Sequence, residues 1–595
     1  MLGHLLYIAL LILPGLALIK WLKVDTKDDL SESLGLAFGL STVITTLVVA
    51  VKTLGNLYVF SLVGLTKMEA LGILIISIVA LILYSLKTRS LLLPKPKSRD
   101  LIIFLSVIAL LIIVAAHFTK YPIFPKYPSA DFIWHVRLSR ELEAGTYFLV
   151  PSGLLYFGAQ AQIALAHQLM NGLLLVDAQH AFALLVLLSP FLVYACAKRA
   201  FENTKAGSVA AVIYVLTGFV WYGSVFNAGL YANFYGILAT LALLTLMAFL
   251  AQKPTKLLWL IYILTILNLY LSHYTVLIFI LALPLGLVLY LIQRRKVDMA
   301  LPVLMPLLIG AVGLAIFPAQ LSTLTGFLQP TGYEAVLGDT NLSYQLRFLP
   351  VLRYLAAVIT QDLSTVLLLA LLILSIPFAF KLRSPLAKLP FLWALIALAS
   401  APLGPTAWRF SYAALMPLVL CASSVLPNYV VEEKLPVSVS KKRAKVKRLG
   451  TKRYSALILI ALVLSTYGWS HVALADSFES TELSNLAQVY VYESMVWMKE
   501  NLEPGAKVIT VTDWRIESYL SEISGIQAKL LFLAKPENAI DEARRGGYGY
   551  VVLTVFVPEK LPEGFKGGEL IKSYLDHPLL SLQYKNPNVY IFKIK

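Results

Sequence analysis

Charge is scarce in this chain and cysteine almost missing. Of 595 residues only 14% are Asp, Glu, Lys or Arg, against roughly 25% in soluble domains. With 58% of its residues hydrophobic, a chain of this length cannot cover itself with polar surface, which excludes a water-soluble globule and leaves a bilayer as solvent. The two cysteines, Cys196 and Cys421, both fall inside apolar runs, so a disulfide framework and a cysteine-built metal site are excluded, and redox chemistry with them. Acids are the rarer sign, 33 against 50 Lys and Arg, for a formal charge of +17. No internal repeat is found, and low complexity is confined to one basic loop. The first apolar run lacks a positive n-region and a small-residue cleavage site, so it reads as a helix rather than a signal peptide, and there is no Arg-rich transit segment.

What is present is a succession of apolar runs near the ~20 residues that cross a bilayer. They lie at about 4–22, 33–51, 69–87, 101–117, 179–197, 208–226, 232–251, 257–271, 273–292, 300–318, 363–381, 388–404, 407–425 and 455–473. This predicts a polytopic α-helical membrane protein of about fourteen transmembrane helices. The basic residues gather at the ends of these runs: Lys95, Lys97 and Arg99; Arg294, Arg295 and Lys296; and, most densely, Lys441 through Arg453. That distribution is a positive-inside signal with contact to anionic lipid, and no nucleic-acid partner is expected.

Placing Lys441 to Arg448 in the cytoplasm sends the last run outward and makes 476–595 extracytoplasmic. Working backward, Lys381/Arg383/Lys388, Arg294 to Lys296, Lys253/Lys256 and Lys198/Arg199/Lys205 alternate to the inside. The segments 227–231, 272–273, 319–362 and 403–407 then face outward. Forward from the N-terminus, Lys20/Lys23/Lys27 and Lys87 to Arg99 are inside, which puts the loop around Asp131 outside too. The two walks agree if 154–175, with Gln160, Gln162, His167, Gln168 and Asn171, is an amphipathic helix at the outer interface rather than a span. The organisation expected is three additional transmembrane helices in 1–99, a transmembrane domain in 100–475 with outer loops 118–178 and 319–362, and an outer domain in 476–595. In that last region helical spacing over 486–501 precedes strands at 507–512, 530–533, 550–556 and 589–594, with helices at 515–524 and 537–545 between them. Alternating strands and helices predict a small α/β sandwich, and the lack of a Gly-rich fingerprint after its first strand argues against a soluble nucleotide ligand.

The stretch from Ser129 to Gly145 is polar and helix-patterned between apolar runs. Asp131 stands at its N-terminal end, His135 one turn further on the same face, and Gly145 punctuates its C-terminus. An ordinary solvated helix cap is the plain reading of Asp131. The company of Tyr127, Phe132, Ile133, Trp134, Arg137 and Arg140 would part-bury it and make a base poised near neutrality. His135 can tune that acid, ligate a metal or simply pack. Arg409 follows Gly404-Pro-Thr-Ala-Trp408 at the outer end of a span, where a guanidinium either snorkels or binds a lipid phosphate. His273 and Tyr274 sit at an outer turn, and the long loop 319–362 carries Glu334, Asp339, Arg347 and Arg353. It also carries the sequon Asn341-Leu-Ser343.

With an acidic first outer loop, an outer-end Arg409 and a terminal α/β domain in place, the chain resembles the GT-C superfamily of integral-membrane glycosyltransferases over about 101–595. Members include protein O-mannosyltransferases, lipid A aminoarabinose transferases and catalytic subunits of oligosaccharyltransferases. The resemblance implies a GT-C-like fold in the cell membrane with an extracytoplasmic terminal domain. It also implies an essential acid at Asp131, in the helix Asp131-Phe-Ile-Trp-His-Val-Arg-Leu-Ser-Arg-Glu-Leu-Glu-Ala-Gly145, and an interface helix at 155–172. The second outer loop of the family often carries further acids. Here it reads Asn227-Ala-Gly-Leu-Tyr-Ala-Asn233, so a divalent cation, Mg²⁺ or Mn²⁺, has no ligand named beyond Asp131. Thr512-Asp-Trp-Arg-Ile-Glu-Ser-Tyr519 occupies the place of the oligosaccharyltransferase aspartate motif but lacks its paired Trp and following Tyr-Gly, and Thr331-Gly-Tyr-Glu334 has only the spacing of that family's loop motif.

The function implied is transfer of a sugar from a dolichyl- or polyprenyl-phosphate donor to a lipid-linked glycan or protein acceptor outside the membrane. Asp131 would be catalytic; Arg409, Arg347, Arg353, His135, Trp134, His273, Tyr274 and Glu334 would bind substrate. Transfer of a lipid-linked glycan to Asn is the alternative within the class, and a lipid or solute transporter or flippase the alternative outside it. Against the latter, the acids lie in loops rather than mid-span, and no matching halves are found.

Overall fold

The structure, a computed structural model, describes residues 1–24, 26, 29–59, 64–89, 93–123, 130–147, 157–217, 221, 225–226, 229–272, 276, 279–280, 282–286, 288, 300–316, 386–400, 416–424, 481–503, 505–511, 526–531, 534–554 and 567–595. These residues fall into two compact units. One draws on Met1–Val114, Leu138–Val225 and Leu230–Ala473; the other on Ala115–Arg137, Phe226–Gly229 and Leu474–Lys595. Among the described residues six helical stretches are long and apolar enough to cross a membrane: Leu2–Trp21, Leu30–Gly55, Lys67–Thr88, Asp100–Thr119, Leu174–Ala200 and Tyr231–Gln252. Shorter apolar helices follow at Thr204–Leu216, Lys256–Tyr270, Leu301–Val312 and Leu386–Ala397. The expected spans at 363–381 and 455–473 lie outside the described residues.

The first unit is helical. Its N-terminal run is two helices, α1 (Leu2–Leu10) and α2 (Leu13–Trp21), broken at Ile12, with Pro14 in the first turn of α2 where its missing N–H leaves nothing unpaired. Then come α3 (Leu30–Val59), α4 (Lys67–Thr88), α5 (Ser98–Lys120), α6 (Ala130–Ala144), α7 (Phe157–Met170) and α8 (Leu174–Ala200). Next are α9 (Thr204–Leu216), α10 (Tyr231–Gln252), α11 (Lys256–Tyr270), α12 (Ala300–Ile316) and α13 (Leu389–Ser400). Gly15 lets α2 and α3 meet backbone to backbone: a Cβ there would lie 1.9 Å from the Ala37 carbonyl oxygen. Helix α3 also packs along α8, α7, α10 and α11, so it is built into the core of this unit.

Two buried polar systems fix that packing. At one end of α3, the carboxylates of Asp29 and Glu32, both 0% exposed, meet Lys198 and Arg199 at the end of α8. The Lys198 ammonium reaches Asp29 at 2.7 Å and also Glu32, which accepts from Arg199 as well. Burial opposes ionisation of Asp29, but the hydrogen bonds from Lys198 and Tyr194 outweigh it and hold the carboxyl below its ordinary range. Further along, Gln162 of α7 donates to Thr45 Oγ1 (2.9 Å) and Thr46 Oγ1 (3.0 Å) of α3 and accepts from Tyr7 of α1 (3.1 Å). Thr46 meets the Tyr235 hydroxyl of α10 at 2.6 Å, and that hydroxyl reaches Asn268 of α11 at 3.0 Å. Five helices are thus tied by one network in a low-dielectric interior, where leaving any member unpaired costs ~1–3 kcal/mol.

Helix α7, at 14 residues, is not among the helices long enough to cross a membrane, in keeping with the expectation for 154–175. Contrary to that expectation it is not amphipathic, being buried on nearly every side from Phe157 to Ala166 and again at Leu169, and Gln162 serves neighbouring helices.

The second unit holds α14 (Thr481–Asn501) and a five-stranded sheet of order β2-β1-β3-β5-β4. Strands β1 (Lys507–Thr510), β2 (Gln527–Leu530) and β3 (Tyr550–Thr554) are parallel; β5 (Val589–Ile594) runs antiparallel to β3 and to β4 (Leu580–Lys585). Helix α15 (Pro536–Gly546) starts on Pro536, has Glu537 in its first turn and Arg544 and Arg545 in its last, and stops at Gly547 with φ +69°. Its apolar stripe, Ala539, Ile540 and Ala543, packs with Ile509, Val551, Leu553 and Phe592 from the sheet and Tyr574 from α16 (Gly567–Leu575). Trp497 of α14 stacks on Tyr584 at 4.9 Å, and Asn586 donates to the Tyr490 carbonyl at 2.7 Å, which seats the β4–β5 hairpin on α14. Helix α16 and strand β4 were not expected from the sequence, and the expected helix at 515–524 lies outside the described residues.

Candidate active site

Helix α6 carries the catalytic candidate. It begins at Ala130, so the backbone of Asp131 lies within its first turn, and it ends at Ala144, with Gly145 at φ +76° as the stop that the sequence marks. Phe132 and Val136, both 0% exposed, and Ile133 anchor the helix, while Arg137 is exposed. Phe132 lies against Gly229, whose φ is +64° and where a Cβ would stand 2.7 Å from the Phe132 Cβ. Two constraints therefore favour glycine there: a left-handed backbone and a side chain with no room to yield. Through this contact the start of α6 rests on the segment that leads into α10.

The end of α5 closes on the same loop through aromatic rings. His117 lies 4.9 Å from Phe226 and 5.0 Å from Tyr121, and Phe118 meets Phe226 edge-on at 6.0 Å. His135 is buried, its ring 5.6 Å from that of Trp134, itself half-buried. The packing alternative weighed for His135 thus has a physical basis.

The remaining candidates fall outside what the structure describes. That is true of the Asp131 side chain and of Arg409, Arg347, Arg353, His273, Tyr274 and Glu334. Among the described residues no three His, Cys, Asp or Glu side chains come together as ligands for a metal ion.

A second polar cluster, missed in the sequence, sits where the end of α6 meets α7 and α8. His167 Nδ1 and Asp177 Oδ2 are 2.8 Å apart, and the Gly172 N–H donates to the same oxygen at 2.8 Å. On the other side of the ring, Nε2 is 4.0 Å from Glu143 Oε2. Burial lowers the affinity of His167 for its proton, but Asp177 and Glu143 outweigh it, so the imidazole is held above its ordinary range. Burial pushes the Glu143 carboxyl up despite His167, Gln168 and Arg140. Its Oε1 has no hydrogen-bond partner among the described residues. The turn 64–66 braces this end of α6, the Leu65 N–H donating to the Leu142 carbonyl at 3.2 Å. Glu143, His167 and Asp177 share no short spacing, so no motif could have united them.

No protein-family model matches the chain, and no curated protein does. Among solved structures it is similar to the oligosaccharyltransferase of Archaeoglobus fulgidus in its apo form, at 13% identity and TM-score 0.46, over 76% of this chain and 69% of that one. It is similar to ArnT from Cupriavidus metallidurans bound to undecaprenyl phosphate, at 12% identity and TM-score 0.46, over 84% and 98% of the two chains. It is also similar to the arabinofuranosyltransferase AftD from Mycobacteria, at 14% identity and TM-score 0.49, over 84% of this chain but 40% of that one. At TM-scores below 0.5 the likeness is a loose one of shape, and residue roles do not transfer through it.

Proposed function

We propose that the chain is a membrane glycosyltransferase of the GT-C kind, moving a sugar from a polyprenyl- or dolichyl-phosphate donor to a glycan or protein acceptor on the extracytoplasmic side. The observation that carries this reading is the placement of α6. A polar helix whose first turn includes Asp131 follows the apolar helix Asp100–Thr119 and is held by Phe132 against Gly229, which supports a headgroup site at the end of a span. The donor's hydrocarbon tail then lies in the bilayer, which is why such chemistry needs a polytopic protein.

In this mechanism Asp131 accepts the proton of the acceptor hydroxyl as its oxygen attacks the anomeric carbon. The bond from that carbon to the phosphate oxygen breaks, and the electron pair leaves with the polyprenyl phosphate. Arg409, with Arg347 or Arg353, neutralises the departing phosphate in bidentate geometry. Trp134, His135, His273, Tyr274 and Glu334 are assigned to the headgroup site in this reading.

Purified protein incubated with a panel of polyprenyl-phosphate sugars, with and without chelator, should release polyprenyl phosphate from one of them. Asp131→Asn should abolish release and leave the protein folded. Normal turnover by that variant would defeat the assignment.

A further inference from the structure

We propose that the groove between α2 and α4 is a binding site for an anionic phospholipid, with an acyl chain in the groove and the phosphate at Lys87. The groove is a cavity of about 350 Å³, within the range of small-molecule sites, with Leu18 and Trp21 on one wall, Ile76 and Ala80 on the other and Val48 on its floor. Its lining is apolar apart from Ser77, and that hydroxyl donates to the Ile73 carbonyl at 2.6 Å, so it offers nothing to a polar ligand. The origin of the space is visible in the packing. Gly15 draws α2 onto the α3 backbone, while α4, joined to α2 through the Trp21–Ala80 hydrogen bond, leaves its residues Ile75, Ile76, Val79 and Ile82 exposed. The cavity therefore opens sideways, toward hydrocarbon.

One end of the groove is built differently. The Trp21 indole N–H donates to the Ala80 carbonyl at 3.0 Å, which locks the ring across the two walls. Tyr84 meets that ring edge-on at 6.1 Å, and the Lys87 ammonium stands 5.8 Å above it. Lys23 and Arg89 are exposed at the neighbouring helix ends. Among the described residues, Asp29 and Glu32 are engaged by Lys198 and Arg199, and Asp100 by Ser31 and the Lys97 N–H. An apolar slot ending in an oriented Trp–Tyr pair and exposed cations fits a chain with an anionic head, as interfacial aromatics and snorkelling lysines do at membrane surfaces. The charge pattern of the chain puts this end at the cytoplasmic leaflet, where anionic lipids concentrate. The Asp131 region is assigned to the other face, so this site is separate from the proposed donor site and stands without it.

The test uses the full-length protein in nanodiscs doped with phosphatidylglycerol or phosphatidylcholine carrying a photoreactive diazirine in the acyl chain, with labelled peptides mapped by mass spectrometry. Phosphatidylglycerol should label the 13–21 and 73–80 segments in preference to phosphatidylcholine by at least about fivefold, the ratio that about 1 kcal/mol per basic residue corresponds to. Lys87→Glu, at an exposed position, should remove most of that preference. Ala80→Phe should plug the slot and suppress labelling by both lipids. Equal labelling by the two lipids, a preference unchanged in Lys87→Glu, or labels mapping elsewhere would overturn the site. Lys87→Glu keeps the test decisive should Ala80→Phe fail to fold.

Discussion

Removing the Glu32 carboxylate should be among the most damaging single changes in the first unit. Glu32 is fully buried and accepts from both Lys198 and Arg199, while Asp29 serves Lys198 at 2.7 Å. The cluster of two acids and two bases is formally neutral; Glu32→Gln leaves it with one buried positive charge. Arg199 would keep its 2.8 Å bond to Gln252 and its place 4.1 Å from the Phe249 ring, neither of which neutralises it. Breaking a buried pair from one side costs about 3–5 kcal/mol. The lower end applies, because these two contacts survive and Lys198 retains 8% exposure. A loss of about 3 kcal/mol is more than a hundredfold in the folding equilibrium. The double variant Glu32→Gln/Arg199→Gln restores neutrality and should cost well under the sum of the two single changes, a coupling of about 1–3 kcal/mol. Reversible unfolding in mixed micelles across the four-member cycle measures this. A single-variant cost below about 1 kcal/mol, or strict additivity, would show that the cluster is solvated in the membrane and refute the reasoning.

Gly229→Ala meets both a φ of +64° and the Phe132 Cβ at 2.7 Å, so it should destabilise by about 1–3 kcal/mol and reduce transferase turnover together; wild-type melting and activity would contradict the placement of α6. Glu143 and His167 both hold protons more tightly than their ordinary values of 4.5 and 6.5. At these two groups the native state thus binds more protons than the unfolded chain, so their contribution to stability is full below the ordinary values and is lost as pH rises through both windows. Melting temperature followed from mildly acid to alkaline pH should decline, and Glu143→Gln should remove the part of the decline that starts near 4.5; a pH-independent melt of the wild type would sink this assignment. Asp131→Asn should abolish release of polyprenyl phosphate at unchanged melting temperature, as read in the donor panel.

Much of the architecture was legible because bilayer solvation writes itself in one dimension. The runs expected at 33–51, 69–87, 101–117, 179–197 and 232–251 lie within helices α3, α4, α5, α8 and α10. In the second unit the expected strands at 550–556 and 589–594 begin where β3 and β5 begin, since buried strands are marked by β-branched and aromatic runs. Strand β4 escaped notice because it is a sheet edge with a mostly exposed face, which weakens the apolar signal. The break at Ile12 was hidden inside one continuous apolar run, where periodicity carries no information.

Composition, hydropathy and punctuation by themselves determined that this chain lives in a membrane, where most described helices begin and end, and that a polar helix opening on Asp131 interrupts the apolar series. Those properties are local, set by each segment against its solvent. Only tertiary structure decided that Gln162 faces Thr45, Thr46 and Tyr7, that Glu32 pairs with Lys198 and Arg199, and that Glu143, His167 and Asp177 gather at one helix end. Partners of buried polar groups are chosen by which helices meet, and residues separated by up to 167 positions in the Glu32–Arg199 pair leave no spacing to read. The hydrogen-bonding and charge demands of buried groups dictate that partners exist; the packing of helices dictates which.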